Sequence, residues 1–91
     1  MMMGSNVIHN AGAKRFEVTI DGNTAVLDYI KSGNVICFTH TGVPPPLEGK
    51  GIGTALCKEA VKFATENQFQ IQSTCWFVDG YLKKNNINNK L

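Results

Sequence analysis

Cysteine is scarce in this chain and poorly spaced for any chemistry that needs it in pairs. There are three, Cys37, Cys57 and Cys75, an odd number with no C-x₂-C spacing, so neither a zinc centre nor a dithiol redox site is expected. Free thiols suit a reducing, cytoplasmic setting. No stretch approaches the roughly 18 apolar residues of a membrane span. The start, Met1-Met2-Met3-Gly4-Ser5, lacks the basic-then-apolar build of a secretory signal, and Gly4 is not placed for myristoylation. Charge of one sign is missing as well: nine Lys/Arg stand against seven Asp/Glu, and the +2 excess is scattered rather than striped, which argues against a nucleic-acid partner. What remains is 91 residues with an apolar fraction of 43%, enough for one small core and no second domain. A soluble monomer or weak dimer is expected.

Residues 1–13 show no periodicity and read as a flexible N-terminal arm. Residues 14–85 form the domain proper, and the Asn/Lys-rich residues 86–91 read as a frayed tail. Phe16, Val18 and Ile20 alternate with Arg15, Glu17 and Thr19, the period of a half-buried strand. Asp21-Gly22-Asn23 and Ser32-Gly33-Asn34 supply turns on either side of a second strand over residues 24–31. Val35-Ile36-Cys37-Phe38 begins a third, so the first half is an antiparallel meander. Pro44-Pro45-Pro46 ends it, because proline cannot donate to the ladder. Stepped at about 100° per residue, Ile52, Leu56, Cys57, Ala60, Val61, Phe63 and Ala64 then share one half of a helix. A short strand over residues 69–74 and a helix over residues 78–84 follow. Strand, helix, strand implies a parallel pair with a right-handed crossover.

The segment with chemical content is Val43-Pro44-Pro45-Pro46-Leu47-Glu48-Gly49-Lys50-Gly51-Ile52-Gly53-Thr54. A glycine-rich turn between a buried strand and an amphipathic helix presents unpaired N–H groups at the positive end of the helix dipole, where a phosphate is the natural occupant. Lys50 can add a full charge. A Walker A loop would need a different glycine interval and a hydroxyl where Gly51 stands, and a dinucleotide fingerprint would need glycine where Leu56 stands. The plain alternative is a turn that only connects two elements.

These residues resemble motif A of the GNAT superfamily of acetyl-CoA-dependent acetyltransferases, with Glu48 in the position of its Arg or Gln and Gly51 and Gly53 in those of its glycines. Val43 and Pro45 match the family's usual lead-in. His40-Thr41-Gly42-Val43-Pro44 and Cys75-Trp76-Phe77-Val78-Asp79-Gly80-Tyr81 are together similar to two motifs of the smallest single-domain branch. The resemblance spans residues 15–84. It implies an α+β fold of the three-layer α/β/α kind, with a mixed, mostly antiparallel sheet and one parallel βαβ crossover. It also implies acetyl transfer from acetyl-CoA to an amine acceptor, or coenzyme A binding without catalysis. Val43, Gly49, Lys50, Gly51, Ile52, Gly53 and Thr54 become cofactor-binding candidates, and Cys75 and Tyr81 catalytic ones. Glu48 departs from the motif with a charge that opposes phosphate, so its side chain is expected to turn outward.

Cys75 lies where the acetyl group points in this family, and a thiol at a helix start is a nucleophile or base. The alternative is a small buried hydrophobe. Tyr81 stands where larger relatives protonate the departing thiolate, or it is a ring packed in the core. Cys37, Cys57 and His40 read as structural, and Trp76 and Phe77 as core residues. No metal site is expected.

Overall fold

Apolar side chains at alternate positions give the sheet one buried face. The computed structural model describes residues 7–87 of the chain. In order, the elements are β1 (Ile8–Asn10), β2 (Arg15–Ile20), β3 (Asn23–Ser32), β4 (Val35–Gly42), a single 3₁₀ turn at Pro45–Leu47, α1 (Ile52–Glu66), β5 (Gln70–Ser73) and α2 (Trp76–Lys84). The strands form one sheet in the order β1-β2-β3-β4-β5. The first three pairings are antiparallel and β4–β5 is parallel, so the α+β class, the mixed sheet and the single crossover are those expected.

Phe16, Val18, Ala25, Leu27, Tyr29, Ile36, Phe38 and Ile71 share the buried face and meet Leu56, Cys57, Ala60 and Ala64 of α1. The opposite face carries Arg15, whose Nε reaches Asp28 Oδ1 at 3.0 Å, and Ile30, which is largely exposed. α2 packs beside α1 through Val78 and Leu82. Along α1 the predicted apolar half is buried at every position except Val61 and Phe63, which are half-buried at its edges.

Two local features depart from the sequence expectations. Residues 8–10 belong to the predicted flexible arm, yet they form β1 on the edge of the sheet. Side chains hold this strand. His9 stacks on Phe16 with ring centroids 4.3 Å apart, its Nε2 lies 2.6 Å from the Tyr29 hydroxyl, and Asn10 donates to Glu17 at 3.2 Å. Burial, and then the Lys31 charge, hold the His9 imidazole below its ordinary pKa, so it packs as the neutral ring. Residues 1–6 of the expected arm and residues 88–91 of the expected tail lie outside the described residues. The second departure is a bulge: Asp28 faces His40 but Tyr29 faces Phe38, which leaves Thr39 as an extra residue in β4.

The start of α1 is fixed by glycine at two positions for two reasons. Gly51 caps the helix at φ 75°, in the left-handed region that side chains resist. Gly53 is buried in the first turn, where an added Cβ would lie 2.8 Å from Cζ of Phe77 on α2. Gly53→Val is therefore expected to destabilise the unliganded domain by about 1–3 kcal/mol through overpacking. Thermal unfolding should show part of that loss recovered in the double variant Gly53→Val/Phe77→Leu. If the second change recovers nothing, contact with Phe77 is not what requires glycine there.

Candidate functional site

The first intrahelical bond of α1 runs from the Ala55 amide to the Gly51 carbonyl at 3.0 Å. The amides of Ile52, Gly53 and Thr54 thus have no acceptor within the helix. No side chain caps this end and no acidic residue stands in the first turn. These amides border a cavity of about 250 Å³ lined by Val43, Leu47, Glu48, Gly49, Gly51, Ile52, Gly53, Thr54 and Phe77. The shape follows from the sequence. The three prolines turn the chain sharply away from β4, Leu47 pins that turn into the core, and Gly49 and Gly51 at φ 78° and 75° bring it back to the helix start. Partial positive charge at the amides and an apolar floor suit an anion attached to an organic group.

Beside this cavity the sheet opens. β4 pairs with β5 only from Val35 to Phe38, opposite Gln70 to Ser73, and the Thr74 amide adds one bond to the Phe38 carbonyl at 3.0 Å. Residues 39–42 continue in β4 with β3 on one side and, among the described residues, no strand on the other. The end of β5 is held by Ser73, 1% exposed, whose hydroxyl donates to the Cys75 carbonyl and accepts from the Cys75 amide, both at 3.1 Å. Cys75 is the N-cap residue of α2, and its Sγ lies 3.5 Å from Thr41 Oγ1 on the open stretch of β4.

A second cleft of about 480 Å³ lies between the helices, lined by Thr54 and Lys58 of α1 and by Phe77, Gly80, Tyr81, Lys84 and Asn85. Thr54 and Phe77 line both spaces, so the two are neighbours. Burial, then the nearby Cys57 thiol, push the Tyr81 phenol above its ordinary pKa. Cys57 itself is pushed up to about 12 by burial, with Cys75 adding to the effect. Cys57 is thus held as a neutral thiol within electrostatic reach of both Cys75 and Tyr81.

Six of the seven predicted cofactor residues line the first cavity, and Lys50 is exposed beside it. Cys75 lines neither space: it is 9% exposed at the open end of the β4–β5 pair. Tyr81 lines the cleft. Trp76 is a correction, since it is 82% exposed rather than in the core. As the first residue of α2 it projects outward while Phe77 turns in. Sequence reasoning missed Leu47, Thr41 and the bulge at Thr39, and it read Phe77 as core where the structure leaves it half-buried and lining both spaces. Leu47 was legible as a lone apolar residue after three prolines, whereas nothing local marks the bulge. No group of three or more His, Cys, Asp or Glu among the described residues is placed to hold a metal.

Residues 15–91 match the family described as GCN5-related N-acetyl-transferase. Protein NATD1 of Mus musculus is 34% identical over 82 residues, covering 87% of this chain and 74% of that protein, and Protein NATD1 of Homo sapiens is 34% identical over the same length, covering 73% of its own. A solution NMR structure of a GCN5-like N-acetyltransferase candidate from Staphylococcus aureus superposes with a TM-score of 0.71 at 32% identity, over 93% of this chain and 84% of that one. The family match covers the open β4 edge, the glycine turn and both helices, so this chain belongs to the GCN5-related N-acetyl-transferase family.

Proposed function

We propose that this protein transfers the acetyl group of acetyl-CoA to an amine. The observation that carries the reading is the junction of two features: uncapped amides at the start of α1, and the unpaired edge of β4 beside them. A diphosphate fits the first, since the Ile52, Gly53 and Thr54 amides are free of side-chain and intrahelical acceptors and Gly51 and Gly49 leave the approach clear. An extended amide-bearing arm fits the second, since residues 39–42 offer main-chain donors and acceptors on the side where β5 has ended. Acetyl-CoA supplies a thioester carbonyl with a good leaving group. The residues of this chain bind and orient it and handle protons.

Tyr81 is suited to the proton side of the reaction. Its raised pKa keeps it a phenol, and therefore an acid, beyond the usual range. Cys75 stands at the open strand end with Thr41 as its hydroxyl neighbour, placed to act as nucleophile or base. The neutral amine nitrogen forms a bond to the acetyl carbon, the carbon–sulfur bond breaks with its electron pair on sulfur, Tyr81 or water protonates that sulfur, and the proton shed by the new amide nitrogen passes through water to restore the acid. The free cysteines suit a reducing cytoplasm. No described helix is long and apolar enough to cross a membrane.

Gly51 is a poor place to test binding, because its φ makes any side chain there a backbone lesion as well. Thr54, exposed in the first turn, separates the two effects. Thr54→Glu places a negative charge where the helix dipole favours it by about 0.3–1 kcal/mol, yet where a phosphate is repelled. The variant should melt at or above the wild-type temperature without ligand. Wild-type protein at about 100-fold excess of coenzyme A over its Kd should gain roughly 2.7 kcal/mol, and Thr54→Glu should gain little. An undiminished ligand shift in Thr54→Glu moves the diphosphate elsewhere.

Catalysis is tested separately. Cys75→Ala is expected to lower kcat by about 10²-fold or more with the Kd for acetyl-CoA nearly unchanged, and Tyr81→Phe to lower it less. Any alkaline fall in kcat that depends on Tyr81 should lie above pH 10, because burial raises its pKa, and should vanish in Tyr81→Phe. Full turnover in Cys75→Ala would make Cys75 a packing residue. Absence of turnover in wild-type protein that still binds coenzyme A would favour a binding module.

A further inference from the structure

Trp76 is the only tryptophan in the chain and 82% exposed, the most exposed of its large apolar residues among those described. An indole on the surface of so small a domain forfeits a burial that a core position would supply. Its placement gives the exposure a use. Trp76 directly follows Cys75, whose thiol sits at the open end of the β4–β5 pair. Its ring meets Phe77 edge-on at 6.0 Å, and Phe77 lines both the cavity at the start of α1 and the cleft between the helices. The indole therefore borders the site from outside rather than forming part of its floor.

An exposed, electron-rich aromatic face attracts organic cations through the ring quadrupole. Primary aliphatic amines are organic cations at neutral pH. We propose that Trp76 is the specificity-determining residue for the acceptor, receiving the alkylammonium end of an aliphatic amine on its indole face and delivering it to the mouth of the β4–β5 opening. The proposal rests on the acetyl-transfer reading and adds the acceptor's chemical class. The ammonium must give up one proton to solvent before its nitrogen forms a bond to the acetyl carbon. Recognition of the charged form thus brings the amine to the site, and loss of the proton commits it.

A sole tryptophan makes the test direct, because its emission reports the occupant of this position. The probes are Nα-acetyl-lysine methylamide, which carries a primary ammonium, and its Nε-acetylated form, which is neutral, each titrated into coenzyme A-loaded protein. Emission should change saturably with the first and little with the second. In steady-state assays with the same lysine probe, Trp76→Ala should raise acceptor KM by about 3- to 30-fold, the range of a cation–π contact, and Trp76→Phe should retain part of the effect. The KM for acetyl-CoA and the coenzyme A Kd should not move. Equal emission changes with both probes, no change with either, or a Trp76→Ala variant altered in coenzyme A affinity instead of acceptor KM would overturn the proposal. The emission arm does not require turnover, so an inactive protein that still distinguishes the two probes counts against the transferase reading and for the recognition site.

Discussion

Each feature of the proposed site depends on β5 stopping short of β4. The two strands pair in parallel over four residues, and then Ser73 closes a tight turn by bonding both the amide and the carbonyl of Cys75. β4 continues to Gly42 because β3 still pairs with it on the other side. One strand thus ends while its neighbour goes on, which leaves a notch of unpaired backbone in the sheet. A buried notch would be costly, since backbone donors and acceptors need partners. At the surface, beside a cavity, it is a place for a ligand that can supply them.

The rest of the architecture follows from that ending. A parallel pair needs a crossover, and α1 provides it with 15 residues whose buried stripe covers the sheet. The crossover places the start of α1 near the C-terminal end of β4, where the prolines and Leu47 turn the chain between them. The chain leaving β5 begins α2 at Cys75, so the thiol, the opening and the uncapped amides come together without a dedicated loop. Gly53 lets the helices close on each other against Phe77, and the cleft carrying Tyr81 lies along their contact.

Much of this was legible from patterning. The alternation of β2 and the stripe of α1 are strong because both pack on a single core, and the glycine turn announces itself by composition. The features that were missed depend on contacts distant in sequence. β1 has no periodicity of its own and is held through His9 by Phe16 and Tyr29. The bulge at Thr39 arises from a register shift against β3 and carries no turn residue. Trp76 was assigned to the core on hydrophobicity alone, yet the first residue of a helix that packs through Val78 and Leu82 points away from that contact. Phe77, its neighbour, is half-buried against the core rather than within it, and its meeting with Gly53 is a contact across 24 positions that local spacing does not encode.

The central claim is that the notch in β4 and the start of α1 act as one binding site. Amide chemical-shift mapping by NMR during titration with coenzyme A tests it most directly. Perturbations are expected at residues 39–43, 49–54 and 75–77, with β1 and β2 unaffected, and ATP is expected to reproduce only the changes at residues 49–54. Shifts confined to residues 49–54 with both ligands would reduce the site to a generic phosphate turn and contradict the account.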